Sequence, residues 1–237
     1  ASSFYYTELA AARKLIDLNV KFSEDEEDIK VRLARISKAS SIKLSKEQLH
    51  AVVCAVKNGL FIMTGVPGTG KTTLARVIAN TTHANFQQLN ATTSGKKDME
   101  AAVADAKEAL GGFGRRTILF IDEIHRFSKS QQDALLGAVE DGTVVLIGAT
   151  TENPSFEVIT PLLSRCQVYV LKHLEKADLL ELLDRALTKD EHLRSLNIEL
   201  RETESMLRYS GGDARKLLNI IAGQHPCMIR RTASYNQ

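Results

Sequence analysis

Apolar positions along this chain recur with two spacings, and the order in which those spacings alternate predicts the architecture. Near the start, Leu9, Ala12 and Ile16 share one helical face, and Ile29, Leu33 and Ile36 share another. Ser23 and Glu26 form a capping box ahead of the second helix, and the acidic run at 24–28 falls in its first turn, where the helix dipole favours negative charge. A third helix starts at Ser45, with Leu49, Val52, Val53 and Val56 on one side and Gly59 as its stop. From residue 60 the spacing changes. Short apolar runs at 60–63, 86–90, 117–121, 144–148 and 167–171 read as strands, and helical patterns separate most of them. One such helix, 98–110, carries Met99, Val103, Ala106 and Leu110 on one face and is expected to end at Gly111 and Gly112. This alternation predicts an α/β fold, a five-stranded parallel sheet covered by helices on both faces. After Glu175 the strands stop, and helical patterns at about 176–187, 202–209 and 213–222 predict a small helical lid. The expected divisions are 1–43, an N-terminal helical segment; 44–172, the α/β core; 173–224, the lid; and 225–237, a loosely ordered tail without periodicity.

Composition narrows the class without choosing a partner. The 237 residues suffice for one large or two small cores. The net charge is +2, with basic residues in scattered pairs such as Lys96-Lys97 and Arg115-Arg116, which neither demands nor excludes nucleic acid. Cys54, Cys166 and Cys227 are odd in number, far apart and without metal-ligand spacing, so a reducing, cytoplasmic setting is expected. No apolar run approaches the length of a membrane span, and no export signal is visible, so no membrane association is expected.

The chemistry concentrates at strand ends. Gly65-Val66-Pro67-Gly68-Thr69-Gly70-Lys71-Thr72-Thr73 has the spacing of a phosphate-binding loop, set between an apolar run and a helix, as that chemistry requires. Glycines let backbone N–H groups converge on phosphate oxygens, and the helix N-terminus adds positive potential. Lys71 can reach the outer phosphates of ATP and the Thr72 hydroxyl can ligate Mg2+. The strand at 117–121 ends in Asp122 and Glu123, a metal-side carboxylate and a carboxylate to polarise the attacking water. Beyond the next strand Thr151, or else Thr150, can hold that water or the terminal phosphate. Arg165 and Arg215 each offer a guanidinium suited to stabilising charge on a transferring phosphoryl group. Gln48 has two readings, a contact to adenine or the partner of Ser45 in a capping box.

Several passages carry a resemblance. These are the loop itself, Thr93-Ser94-Gly95, residues 116–127, Lys129-Ser130-Gln131-Gln132-Asp133-Ala134, residues 147–157, residues 162–165 and Gly212-Asp213-Ala214-Arg215. Over residues 62–221 the chain resembles the replication-associated recombination protein A family (RarA, or MgsA, with the Werner-helicase-interacting ATPases) in the clamp-loader branch of AAA+ ATPases. The resemblance implies a Walker A pair at Lys71 and Thr72, a Walker B pair at Asp122 and Glu123, and sensor 1 at Thr151. It makes Arg165 the finger toward a neighbouring subunit's ATP, Arg215 the sensor 2 of its own subunit, and Asn90 the polar switch that holds Glu123 aside. It also implies ATP and Mg2+ as ligands and action on single-stranded or forked DNA. Single-stranded-DNA-binding protein and replisome components are the implied partners, in the bacterial cytoplasm or at its nucleoid. Full-length members of the family are expected to be homo-oligomers through a C-terminal region that this chain is expected to lack.

Residues 44–73 are also similar to a RecD-type helicase, in which a glutamine-bearing helix leads into the same loop. Three functions follow. The first is a DNA-dependent ATPase of clamp-loader type in fork maintenance and recombination or repair. The second is a fragment of a helicase motor, and the third a nucleotide-binding scaffold with little turnover.

Overall fold

Ile118, Leu119, Phe120 and Ile121 are all buried, and an unbroken apolar strand of this kind needs cover on both faces. The computed structural model, which describes residues 25–40, 44–57, 60–195, 198–200, 202–223 and 229–231, supplies it. The expected helix around Leu9, the Ser23 cap, the Gly59 stop and the tail beyond residue 231 lie outside the described residues. The chain divides into two units, one drawn from residues up to Thr64 together with Lys71–Val170, the other from Gly65–Gly70 together with Leu171 onward.

The first unit opens with α1 (Glu26–Ser40) and α2 (Lys46–Lys57). Glu26, Glu27 and Asp28 occupy the first turn of α1, and Ile29 and Leu33 form its buried face. At the start of α2, Ser45 N–H donates to Gln48 Oε1 at 3.0 Å and Gln48 N–H donates to Ser45 Oγ at 3.2 Å. This reciprocal pair is a capping box, so the glutamine serves the helix end.

Then follow β1 (Leu60–Gly65), α3 (Lys71–Thr82), β2 (Asn85–Asn90), α4 (Lys96–Phe113), β3 (Thr117–Asp122), α5 (Lys129–Glu140) and β4 (Val144–Ala149). Two short helices, α6 (Pro154–Glu157) and α7 (Thr160–Leu163), lead into β5 (Gln167–Leu171). The strand order is β2-β3-β4-β1-β5, so β4 lies between β1 and β3. Parallel register sets Asn90 opposite Asp122 and Ile121 opposite Gly148. One face of the sheet buries Leu119, Ile121 and Leu146 with Met99 and Ala106 of α4 and Leu135 of α5. The α3 helix packs on β2, β3 and β4, and its Arg76 lies 5.8 Å over the Phe86 ring, which stacks on Phe120.

The α4 helix departs from expectation. It runs through Gly111 and Gly112 to Phe113, although each glycine costs about 1 kcal/mol in a helix interior. Gly114 is the true stop, left-handed at φ 60°, with its N–H bonded to Leu110 O at 3.0 Å. A left-handed cap that satisfies a terminal carbonyl outweighs the weak local preference upstream.

The second unit holds α8 (Lys176–Lys189), α9 (Glu191–Ser195), β6 (Ile198–Leu200), α10 (Thr203–Ser210), α11 (Ala214–Ala222) and β7 (Ile229–Arg231). Leu179, Leu183, Met206, Leu217, Ile220 and Ile221 form its own core. Strands do not stop at Glu175, because β6 and β7 pair antiparallel, Glu199 opposite Arg230. Three residues per strand are too few to show a period, which is why this ribbon is absent from the pattern.

Candidate functional site

In the first unit, α3 begins at Lys71 with no acidic residue in its first turn, so no local carboxylate offsets the positive end of the helix dipole, which suits an anion. Lys71 is buried, Thr72 half-buried and Thr73 exposed. At the far end of β3, Asp122 is half-buried and its Oδ1 accepts the Glu123 N–H at 3.2 Å. Glu123 itself is left-handed, φ 55° and ψ 42°. A non-glycine residue there costs about 1–3 kcal/mol, a strain that clusters at functional sites.

Between these strands β4 delivers two threonines. Thr150 N–H donates to Met63 O at 3.0 Å, prolonging the sheet pattern by one residue. Its hydroxyl is fully buried, 2.9 Å from His125 Nδ1, and accepts the Glu152 N–H at 3.0 Å. Thr151 is half-buried at the turn. The other nitrogen of His125, Nε2, lies 3.3 Å from Glu123 Oε2. Asn90 is turned elsewhere, with Oδ1 accepting from Thr92 N at 2.9 Å and from Thr92 Oγ1 at 2.6 Å. In this conformation the group that restrains Glu123 is therefore a histidine three residues past β3, and the expected switch residue is engaged locally.

Arg165 follows α7. Its Nη2 lies 2.8 Å from Glu140 Oε1 and its Nη1 donates to Pro161 O at 2.7 Å, so the guanidinium is paired within its own chain. The segment leading to it is stapled by Gln132, whose buried amide donates to Phe127 O and Glu157 O and accepts from Ile159 N–H. The neighbouring Cys166 thiol is pushed up to about 12 by burial, against a smaller opposing influence from Arg165. Sequence reasoning missed His125 and Gln132. Both stood inside the quoted motif passages, but each also bonds to a residue 25 positions away, Thr150 and Glu157 respectively, which spacing does not reveal.

In the second unit the loop holds Gly65, Gly68 and Gly70 at φ 130°, 73° and 82°, a backbone that only glycine adopts readily. Thr69 Oγ1 donates to Val66 O at 3.1 Å across the turn. The start of α11 packs directly on this loop. Ala214 N–H donates to Gly68 O at 3.3 Å, and a Cβ placed on Gly68 would lie 1.8 Å from Asp213 Oδ1. Asp213 caps α11 by accepting the Arg215 and Lys216 N–H groups at 2.8 and 3.1 Å. The structure thus brings the loop and the helix bearing Arg215 together, with Arg215 exposed in the first turn.

The residues present fit the implied ligands. A loop of left-handed glycines is a cradle for phosphate oxygens. Thr72 and Asp122 offer hard oxygen donors, the set that Mg2+ takes alongside water and phosphate without a protein cage. Among the described residues no three His, Cys, Asp or Glu side chains group as a metal site.

Fold and site define the class: the chain has the AAA+ phosphate-loop fold. Residues 61–174 match the family described as "ATPase family associated with various cellular activities (AAA)". The resemblance is to replication-associated recombination protein A. The chain is 46% identical over 163 residues to that protein of Escherichia coli (strain K12), an alignment covering 68% of this chain and 36% of the relative. It is equally identical, over the same length, to ATPase WRNIP1 of Dictyostelium discoideum, of which it covers 18%. Among solved structures, the Thermotoga maritima RuvB Holliday junction branch migration motor matches with a TM-score of 0.55 and 26% identity, over 84% of this chain and 61% of that one. The chain spans a little over a third of the length of its bacterial RarA relatives. Among the described residues no helix is long and apolar enough to cross a membrane.

Proposed function

We propose that this chain binds Mg2+–ATP and hydrolyses it, and that DNA stimulates the reaction in the manner of a clamp loader at replication forks. The observation that carries the reading is the loop of three left-handed glycines running straight into α3 at Lys71. Backbone N–H groups of Gly65–Gly70 and the Lys71 ammonium hold the phosphates. Thr72 and Asp122 hold the metal, which when bound offsets charge on the β- and γ-phosphates. Glu123 polarises a water that attacks the γ-phosphorus in line. The bond to the bridging oxygen breaks, ADP leaves with that electron pair, and the water's proton passes to Glu123 and on to solvent. Thr151 orients the water, Arg215 contacts the phosphates of its own chain, and Arg165 reaches a neighbouring copy's ATP. The names of the relatives support a role in replication and recombination, and to it we add single-stranded or forked DNA, replisome proteins as partners and a bacterial cytoplasm as our own reading.

The test is steady-state ATPase against protein concentration, with and without single-stranded or forked DNA. Glu123→Gln should keep ATP binding and lose about 100-fold or more in turnover, the scale of a general base. Arg165→Ala should lose the concentration-dependent part of the rate. Unchanged turnover in Glu123→Gln would refute its role. A second reading, a nucleotide-binding scaffold with little turnover, is favoured by one observation, the pairing of Arg165 with Glu140 of its own chain. Turnover that responds to neither concentration nor DNA would select it. For the helicase reading, Gln48 stands in a capping box with Ser45 at the start of α2.

A further inference from the structure

We propose that His125 is the positioning residue that aims the Glu123 carboxylate, an inference that rests on the reading of Glu123 as the group that activates water. The three-residue helical turn Ile124–Arg126 follows β3 after only one residue. Ile124 is fully buried, and its Cδ1 lies 3.1 Å from where a Cβ on Gly148 would stand. The absence of a side chain on β4 lets Ile124 seat there and fixes the turn against that strand. The next residue then presents its imidazole to two strand ends at once, Nε2 toward Glu123 Oε2 at 3.3 Å and Nδ1 toward Thr150 Oγ1 at 2.9 Å. The His125 side chain is only 7% exposed and that of Glu123 30%, so the link is largely shielded while the carboxylate still meets solvent.

The 3.3 Å approach of Nε2 to Glu123 Oε2 is an ion-pair contact, and on the other side of the ring Nδ1 shares a hydrogen bond with the Thr150 hydroxyl. That hydroxyl oxygen in turn takes the Glu152 N–H at 3.0 Å. Contacts thus run in series from the Glu152 amide through Thr150 and His125 to Glu123 and restrain one carboxylate oxygen. The strained backbone at Glu123 is kept in place by the same contact, because relaxing φ would swing the carboxylate off the imidazole. Among the described residues the Asn90 amide makes no hydrogen bond to Glu123, and its Oδ1 accepts from Thr92. Because Thr150 follows β4 directly, a shift of that strand's end is transmitted to the aim of Glu123.

The test compares the full chain with His125→Ala, His125→Gln and His125→Asn. The readouts are kcat and KM for ATP, Kd for a fluorescent ATP analogue, and the melting temperature. Glutamine can offer its Nε2 donor at nearly the same reach, whereas asparagine falls short of Glu123. His125→Ala and His125→Asn should lose about 10- to 100-fold in kcat, the scale of a misplaced reacting group, with KM and Kd unchanged. His125→Gln should recover most of the rate. A kcat equal to or above that of the parent in His125→Ala would overturn the proposal, showing that the histidine is idle or a brake. Equal loss in all three variants together with weakened nucleotide binding and a lowered melting temperature would also overturn it, as a merely structural role. Failure of the parent to bind ATP would overturn the ATPase reading with it. A parent that turns over, and a Glu123→Gln variant that binds without turnover, isolate the result to His125.

Discussion

Substituting Gly68 by alanine tests the packing of the phosphate loop on the α11 start. Two costs add. The residue sits at φ 73°, where an L side chain costs about 1–2 kcal/mol. The new methyl would also stand 1.8 Å from Asp213 Oδ1, so the carboxylate must leave. That carboxylate holds the Arg215 and Lys216 N–H groups, and losing such a cap costs about 1 kcal/mol. Gly68→Ala should therefore destabilise the loop by about 2–3 kcal/mol, at about 1.4 kcal/mol per tenfold a roughly 30- to 150-fold weakening of nucleotide affinity. Asp213→Ala alone loses only the cap, about 1 kcal/mol. In the double variant the cap is lost once, so its cost should fall short of the summed single costs by about that amount. Binding titrations with an ATP analogue, together with chemical denaturation of all four proteins, measure the coupling. Strict additivity, or a neutral Gly68→Ala, would refute the contact between loop and helix start.

Three further outcomes are expected. Gly114→Ala should cost about 1 kcal/mol in denaturant unfolding, because the α4 stop needs φ 60° although the space around it is open. Cys166 should resist iodoacetamide at neutral pH in the native protein and react promptly once unfolded, since burial keeps its thiol protonated; labelling followed by mass spectrometry reads this directly. Hydrogen bonding from Thr143, its side chain first and then its backbone N–H, holds the Asp141 carboxyl below the usual carboxylate range. The stability this supplies is present above the ordinary carboxylate pKa and is lost as pH falls through the lowered native value. Acid unfolding curves should therefore lose part of their slope in that window in Asp141→Asn.

Local chemistry was legible in the sequence wherever it is written into neighbours. The Ser45 and Gln48 capping box, the buried run ending at Asp122 and the glycine loop are all set by residues within a few positions of one another, and the α/β layering follows from their order. Cover on both faces of β3 also followed, because an unbroken run of Ile118 to Ile121 leaves no polar face. What escaped was tertiary. The fit of Gly68 under Asp213 joins residues 145 positions apart, and His125 meets Thr150 only because β4 lies between β1 and β3. The choice between Thr150 and Thr151 depended on the same fact, since one hydroxyl is turned into the interior by a ring that spacing could not place. Gly111 and Gly112 misled because helix propensity is a weak local preference and the cap lay two residues further on.

On the proposed reading, in which Arg165 reaches a neighbouring copy's nucleotide, its ion pair with Glu140 bears on self-association. A guanidinium already paired with a carboxylate at home gains little by exchanging it for another across a subunit boundary. A polyphosphate carries more charge than Glu140, so only a neighbour loaded with nucleotide gives that exchange a favourable sign. Cohesion between copies would then rise and fall with the occupancy of the adjoining site, and rings or arcs built from this domain would loosen after each round of hydrolysis without any separate release signal.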